Sequence, residues 1–223
     1  MKNHIIFDLD WTIADTQKIH QQIESDFLRG KGLFIDPKEI WVRFAWRTPQ
    51  EWISEVLLLN KINFHRDELE LFVSKKDEIV ISMLNEWKIE LMPYAFEILE
   101  LLHQNDYKIG ISSGACREFI NQFIVYFNLK EIVVASTSSN EVEKKKPNPD
   151  VFLTSFKKIE NLFWIPDNKF VIWDWWSDVE WWHKSWAKTI WLNYSKKDKI
   201  NESYCDFEIE SLKDLKDILW FNN

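Results

Sequence analysis

Asp8 and Asp10 stand two residues apart at the end of an apolar run, Ile5, Ile6 and Phe7, whose β-branched and aromatic side chains predict a short buried strand. Residues i and i+2 of an extended segment share a face, so both carboxylates project the same way from the strand's carboxyl end. That is the edge at which open α/β sheets hold their ligands. Two anions so placed repel each other unless a cation lies between them, and a hard, oxygen-seeking Mg²⁺ suits the position. The plainer alternative is a strand that ends in a solvated acidic turn.

Three later stretches place further reactive groups after apolar runs. In KIGISSGACRE a strand-like segment ends in hydroxyls, with Ser113 followed by Gly114 and Ala115. Serines also end strands without any binding role. Lys146 closes a lysine run and precedes Pro147 and Pro149. Such runs usually form a solvated face, and Lys144 and Lys145 read as that. Asp174 and Asp178 follow an apolar segment that ends at Trp173, where single acids also serve as helix caps.

These groups need a scaffold, and the periodicity supplies one. Apolar spacing predicts helices at 17–28, from Asp36-Pro37, from Thr48-Pro49 through 59, and at 66–84, so that 17–88 is a run of helices without strands. Beyond it the pattern alternates: helix 94–103, strand 108–112, helix 117–127, strand 132–135, helix 150–159, strand 170–173, helix 178–185 and strand 189–192. A short strand at 207–209 and a Ser211-capped helix finish the chain. Such alternation predicts an α/β fold, a parallel Rossmann-like sheet with helices on both faces. Residues 1–16 and 89–223 form its core, and the inserted helices sit above the carboxyl edge as a cap.

The string HIIFDLDWTIADT resembles the first motif of the haloacid dehalogenase-like (HAD) phosphohydrolases, D-x-D-G-T-[LIV]-x-D-[ST], with Trp11 where the family has glycine. The later stretches resemble its remaining motifs in order. Ser113 stands at the phosphate-binding hydroxyl position, helped by the backbone N–H groups of Gly114 and Ala115. Lys146 matches the lysine of K-P-x-P-[DE], with Asp150 as a helix cap, and Asp174 and Asp178 match G-D-x-x-x-D.

The resemblance implies a Mg²⁺-dependent phosphatase acting on a small phosphomonoester. Asp8 would be the nucleophile and Asp10 the general acid and base. Asp8, the Asp10 carbonyl, Asp174 and Asp178 would serve the metal, and Ser113 and Lys146 would hold the phosphoryl oxygens. In the cap, His20, Arg47 and Lys76, with Lys75 beside it, stand where the β-phosphoglucomutase-like branch often has functional groups. That branch's sugar-phosphate mutases have an arginine where Pro49 stands, and a phosphomutase is the alternative activity. The metal-independent dehalogenase branch lacks the second acid that Asp10 supplies.

Trp11 is one of 14 tryptophans in a chain with 4 glycines. Average usage of about 7% would give roughly 16 Gly in this length, so one excess mirrors the other deficit. In VIWDWWSDVEWWHKSWAKTIWLN, glycine at Trp173, Trp182, Trp186 and Trp191 restores the family's usual run. Glycine belongs where a metal approaches the backbone and where a helix ends or packs tightly. UGA is read as tryptophan in one variant genetic code and as glycine in another. The expectation is that Trp11, Trp46, Trp164, Trp173, Trp182, Trp186 and Trp191 are glycine codons read with the wrong table. Trp41, Trp87, Trp175, Trp176 and Trp181 follow, and Trp52 and Trp220 read as genuine. The competing reading is an inactive binding module whose real tryptophans form an aromatic ligand surface.

At 223 residues the chain fits one large domain or a core with a smaller insertion. A dispersed net charge of −8 argues against nucleic-acid or acidic-membrane partners. Cys116 and Cys205 lie far apart without metal-ligand spacing, and no apolar leader or run of about 20 apolar residues is evident. The expectation is a reduced, cytoplasmic protein without nucleic-acid or membrane partners, its oligomeric state left open.

Overall fold

The sheet is built outward from its first strand. A computed structural model describes residues 1–44, 47–86, 88–146, 148–174, 187–194 and 205–220, without the side chains of residues 41 and 220. Six parallel strands run in the order β3-β2-β1-β4-β5-β6. They are β1 (Asn3–Asp8), β2 (Lys108–Ser113), β3 (Val133–Ser138), β4 (Asn168–Trp173), β5 (Lys188–Leu192) and β6 (Phe207–Ile209). β1 has neighbours on both sides, and all six of its residues are buried, which is why it reads as an apolar run rather than an alternating one.

Strand order reverses after β3, because β4 pairs with the free side of β1. That reversal opens a crevice at the carboxyl ends of β1 and its neighbours, just where Asp8 sits. Of the helices between the strands, α5 (Ala95–Gln104) packs against β2, α6 (Arg117–Tyr126) against β3, and α7 (Asp150–Leu162) against β1, β2 and β3. Val151, Phe152, Phe156 and Ile159 of α7 pack against Ile6 and Val171. Gly110 permits the close approach: a Cβ there would lie 3.2 Å from Ile159 Cδ1 and 3.3 Å from Ile6 Cγ1.

A buried polar seam fixes α7 in place. Ser155 Oγ lies 2.7 Å from Ser112 Oγ on β2 and donates to Thr137 Oγ1 on β3 at 2.7 Å. All three hydroxyls are fully buried. This seam explains why β3 runs on to Ser138 instead of ending at residue 135: its hydroxyl-rich end stays in register with Ser112 and Ser113. Asp150 is not the cap of α7. It is the first helical residue, and Asn148 Oδ1 accepts its N–H at 3.2 Å, since Pro149 has no N–H to be satisfied. Ser211 precedes a 3-10 turn (Leu212–Asp214), its N–H donating to Asp214 Oδ2 at 3.0 Å, before α8 (Leu215–Trp220) begins. The helix expected at 178–185 lies outside the described residues.

The chain divides into two units, one of Met1–Asp15 with Ile89–Asn223 and one of Thr16–Lys88. The smaller unit contains α1 (Gln17–Gly30), α2 (Pro37–Phe44), α3 (Pro49–Leu59) and α4 (Arg66–Asn85). Its core includes Leu28, Ile53, Leu57 and a stacked Phe44–Trp52 pair with ring centroids 4.5 Å apart. A capping box of Thr48 and Glu51 starts α3. No helix among the described residues is long and apolar enough to cross a membrane.

Candidate active site

β1 delivers Asp8 to the crevice, opposite Ser112 in the register and only 8% exposed. Its Oδ1 accepts the Leu9 N–H at 2.7 Å and faces Lys146 Nζ at 2.7 Å. Oδ2 accepts no hydrogen bond from the described residues. The Lys146 ammonium also lies 4.8 Å from the centroid of the Phe152 ring on α7, a cation–π contact that steers it toward the sheet edge.

After Asp8 the chain turns back on itself. The N–H groups of Ile13 and Ala14 both donate to Leu9 O at 2.9 Å, Trp11 N–H donates to Ala14 O at 2.8 Å, and Asp10 bridges to Ala14. The turn presents Asp10 to β2, where Ser113 Oγ donates to Asp10 Oδ2 at 3.0 Å. It also presents Thr12 to the end of β4, where Thr12 Oγ1 donates to Asp174 Oδ1 at 3.2 Å. Asp8, Asp10, Ser113, Lys146 and Asp174 therefore gather at one strand edge.

Ala115 N–H is spent inside its own loop, donating to Ser113 Oγ at 2.9 Å. A Cβ at Gly114 would meet nothing within 4 Å, so open space adjoins Ser113. The loop is braced from β3. Ser138 Oγ donates to Ala115 O at 2.7 Å, and Arg117 Nε donates to Glu141 Oε1 at 2.5 Å. Arg117 also donates to Ser136 Oγ and O, at 2.7 and 3.0 Å, and Lys158 Nζ lies 2.7 Å from Glu141 Oε2. Burial works against the Glu141 charge, but the hydrogen bonds from Lys158 and Arg117 hold its carboxyl below the ordinary range.

The sequence reading missed Thr12, Arg117 and Glu141. Glu141 carried a signal, because Ser138 three residues before it forms the S-x-x-E pattern of a capping box.

The family model for haloacid dehalogenase-like hydrolases matches residues 5–190, from within β1 to within β5. The chain belongs to the haloacid dehalogenase-like hydrolases. The mitochondrial (DL)-glycerol-3-phosphatase 1 of Arabidopsis thaliana is 27% identical over 223 residues, covering 97% of this chain and 72% of that one. The bifunctional riboflavin kinase/FMN phosphatase of the same plant is 26% identical over 162 residues, covering 70% of this chain and 40% of that protein. Two solved structures show the same fold. CbbY from Rhodobacter sphaeroides, a mutant in complex with xylulose-1,5-bisphosphate, superposes with a TM-score of 0.80 at 17% identity over 96% of each chain. β-Phosphoglucomutase from Clostridium difficile gives 0.79 at 21% identity over 100% of this chain and 96% of that one.

Within this hydrolase, burial and mutual repulsion set the charge state of the acids. Burial holds the Asp8 carboxyl above the ordinary carboxylate range, against the pull of Lys146 and with a further push from Asp10. Burial and then the Asp8 charge push Asp174 up further still, against Lys146 and the Thr12 hydroxyl. Carboxylate oxygens that repel one another in a desolvated crevice are the donor chemistry that a hard divalent cation relieves. Among the described residues Lys146 is the cation that answers that repulsion, helped by the Leu9 N–H and the Thr12 hydroxyl. Among the described residues no three acidic, imidazole or thiol side chains close around a single point. Asp178 lies outside the described residues.

The remaining candidates belong to the smaller unit. Lys76 is buried with its ammonium on the Glu24 carboxylate, so its charge is met inside that unit. Lys75 is exposed. Arg47 pairs with Glu55 at 2.5 Å, and His20 lies part-exposed on α1.

Proposed function

We propose that this hydrolase is a Mg²⁺-dependent phosphatase that cleaves a small-molecule phosphomonoester through an aspartyl phosphate on Asp8. One observation carries the reading. Two donors hold Asp8 Oδ1, Oδ2 stands open among the described residues, and a second acid, Asp10, is fixed beside it by Ser113.

Oδ2 attacks phosphorus in line, an Oδ2–P bond forms, and the bond from phosphorus to the leaving oxygen breaks. The Asp10 carboxyl gives that oxygen its proton, then takes one from the water that attacks the aspartyl phosphate. Inorganic phosphate leaves and Asp8 is restored. Lys146 Nζ and Ser113 Oγ neutralise and orient the non-bridging oxygens over which transition-state charge spreads. Thr12 keeps Asp174 turned toward the same edge. Bound Mg²⁺, which Asp8, the Asp10 carbonyl and Asp174 would hold, supplies positive charge to the nucleophile and phosphoryl oxygens.

The glycerol-3-phosphatase and FMN phosphatase relatives support the substrate class, a small phosphate ester. The Thr16–Lys88 unit is then the cap that selects among such esters, as the helical insertion in the sequence suggests.

The test is turnover of an aryl phosphate with and without Mg²⁺, alongside Asp8→Asn. The expected result is metal-dependent release of phosphate that the substitution abolishes while the far-ultraviolet circular dichroism is unchanged. Turnover retained by Asp8→Asn would overturn the mechanism.

A further inference from the structure

The turn that aims Asp10 hangs on residue 11. Trp11 has φ +56°, in the left-handed region, where the Cβ of an L residue crowds the following carbonyl and glycine does not. Three backbone hydrogen bonds and the Asp10–Ala14 bridge hold it there, so the conformation is a condition of the site. Residue 11 in an extended or right-handed helical conformation would open the turn and carry Asp10 away from Ser113.

Lys61, Tyr94, Asp106 and Asn128 also have positive φ. Asp106 and Asn128 are residue types that tolerate it. Tyr94 shows that an aromatic can be held so at the head of α5, so the angle alone does not identify the residue.

Composition is the second, independent observation. Of only 4 glycines, Gly32 alone uses a positive φ, while 14 tryptophans fill a chain of 223 residues. A sequence this short of glycine has placed an indole at a catalytic turn held at positive φ. Trp173 and Trp191 make no such demand. They are buried neighbours in the β4–β5 register, and the Trp191 indole donates to Asp174 O at 3.1 Å.

We infer that residue 11 of the working protein is glycine, encoded by a UGA codon that the written sequence renders as tryptophan. Its freedom at positive φ is what points Asp10 at Ser113.

Trypsin cuts after Lys2 and Lys18, so protein purified from its own cells yields a peptide of residues 3–18. That peptide is expected to have the glycine mass, and codon 11 to be UGA. A peptide of tryptophan mass, or a UGG codon, overturns the inference. Neither measurement needs turnover, so the result stands apart from the phosphatase reading.

The conformational half has its own test in recombinant Trp11→Gly and Trp11→Ala. Where φ is negative, alanine is the more stable of the two. Here the order is reversed, with the glycine form melting about 2–4 °C above the alanine form. It also turns over an aryl phosphate several-fold faster at unchanged KM. An alanine form that melts as high as the glycine form would refute the requirement for left-handed backbone at this position.

Discussion

His4 should make this fold acid-sensitive by an amount the structure allows to be worked out. The residue lies at the centre of the sheet with no exposed surface, and neither ring nitrogen has a hydrogen-bond partner among the described residues. In the parallel register it is flanked by Lys108 on β2 and Lys169 on β4, and register partners in a parallel sheet share a face. Glu160 is paired to Lys169 at 2.6 Å. Burial, and after it the two lysines working against Glu160, push the imidazole from 6.5 down to about 4.

The folded chain therefore refuses a proton that the unfolded chain accepts below its own higher pKa. The His4 contribution is intact above 6.5 and is lost as pH falls toward about 4. At about 1.4 kcal/mol per unit, linkage gives a loss of about 2–3 kcal/mol between about pH 7.5 and about pH 4.5.

Urea unfolding across that window, for the natural chain and for His4→Leu, isolates this contribution from the carboxylates that titrate alongside it. Leucine has no nitrogens to leave unsatisfied, so the variant should be at least as stable at neutral pH. Its stability should then fall by about 2–3 kcal/mol less on acidification. Parallel curves for the two proteins would refute the reasoning, because they would mean that the buried imidazole is protonated as easily in the fold as out of it.

Two further substitutions test the site and its support. Lys146 Nζ lies 2.7 Å from Asp8 Oδ1. A Coulomb interaction of about 6 kcal/mol follows at an effective dielectric of about 20. Catalysis keeps only the part that differs between ground and transition states, so Lys146→Met should lower kcat for an aryl phosphate by about 10²–10³, and a loss under tenfold would remove the lysine from the chemistry. Ser155→Ala leaves the buried Ser112 and Thr137 hydroxyls without their shared partner and should cost about 1–3 kcal/mol in denaturant unfolding, whereas an unchanged midpoint would show that the seam does not hold α7. For the alternative activity, a sugar 1-phosphate should yield free phosphate rather than an isomerised sugar phosphate.

The elements that were legible in the sequence are those whose local chemistry is self-sufficient. β1 and its two acids could be read because a two-residue period in an extended run fixes their common direction. α3 could be read because Thr48, Pro49 and Glu51 form a complete start signal within four residues. What escaped depends on partners distant in the chain. The hydroxyl end of β3 looks like a loop until Ser112 and Ser155 supply its bonds. Lys76 looks like a surface cation until Glu24, 52 residues away, is brought against it. Asp150 looks like a cap until the backbone shows Asn148 doing that work.

The position of β1 also has a consequence for biosynthesis. This strand leaves the ribosome before the rest of the sheet, its second neighbour β4 follows much later, and the Asn3–Asn168 hydrogen bond spans 165 residues. Until translation passes β4, the nascent chain exposes one unpaired flank of the strand that bears Asp8, and closing so long a loop is slow. A polypeptide released before that point would hold both motif-one acids and still lack the strand that completes their surroundings, so the chemistry waits on the synthesis of β4.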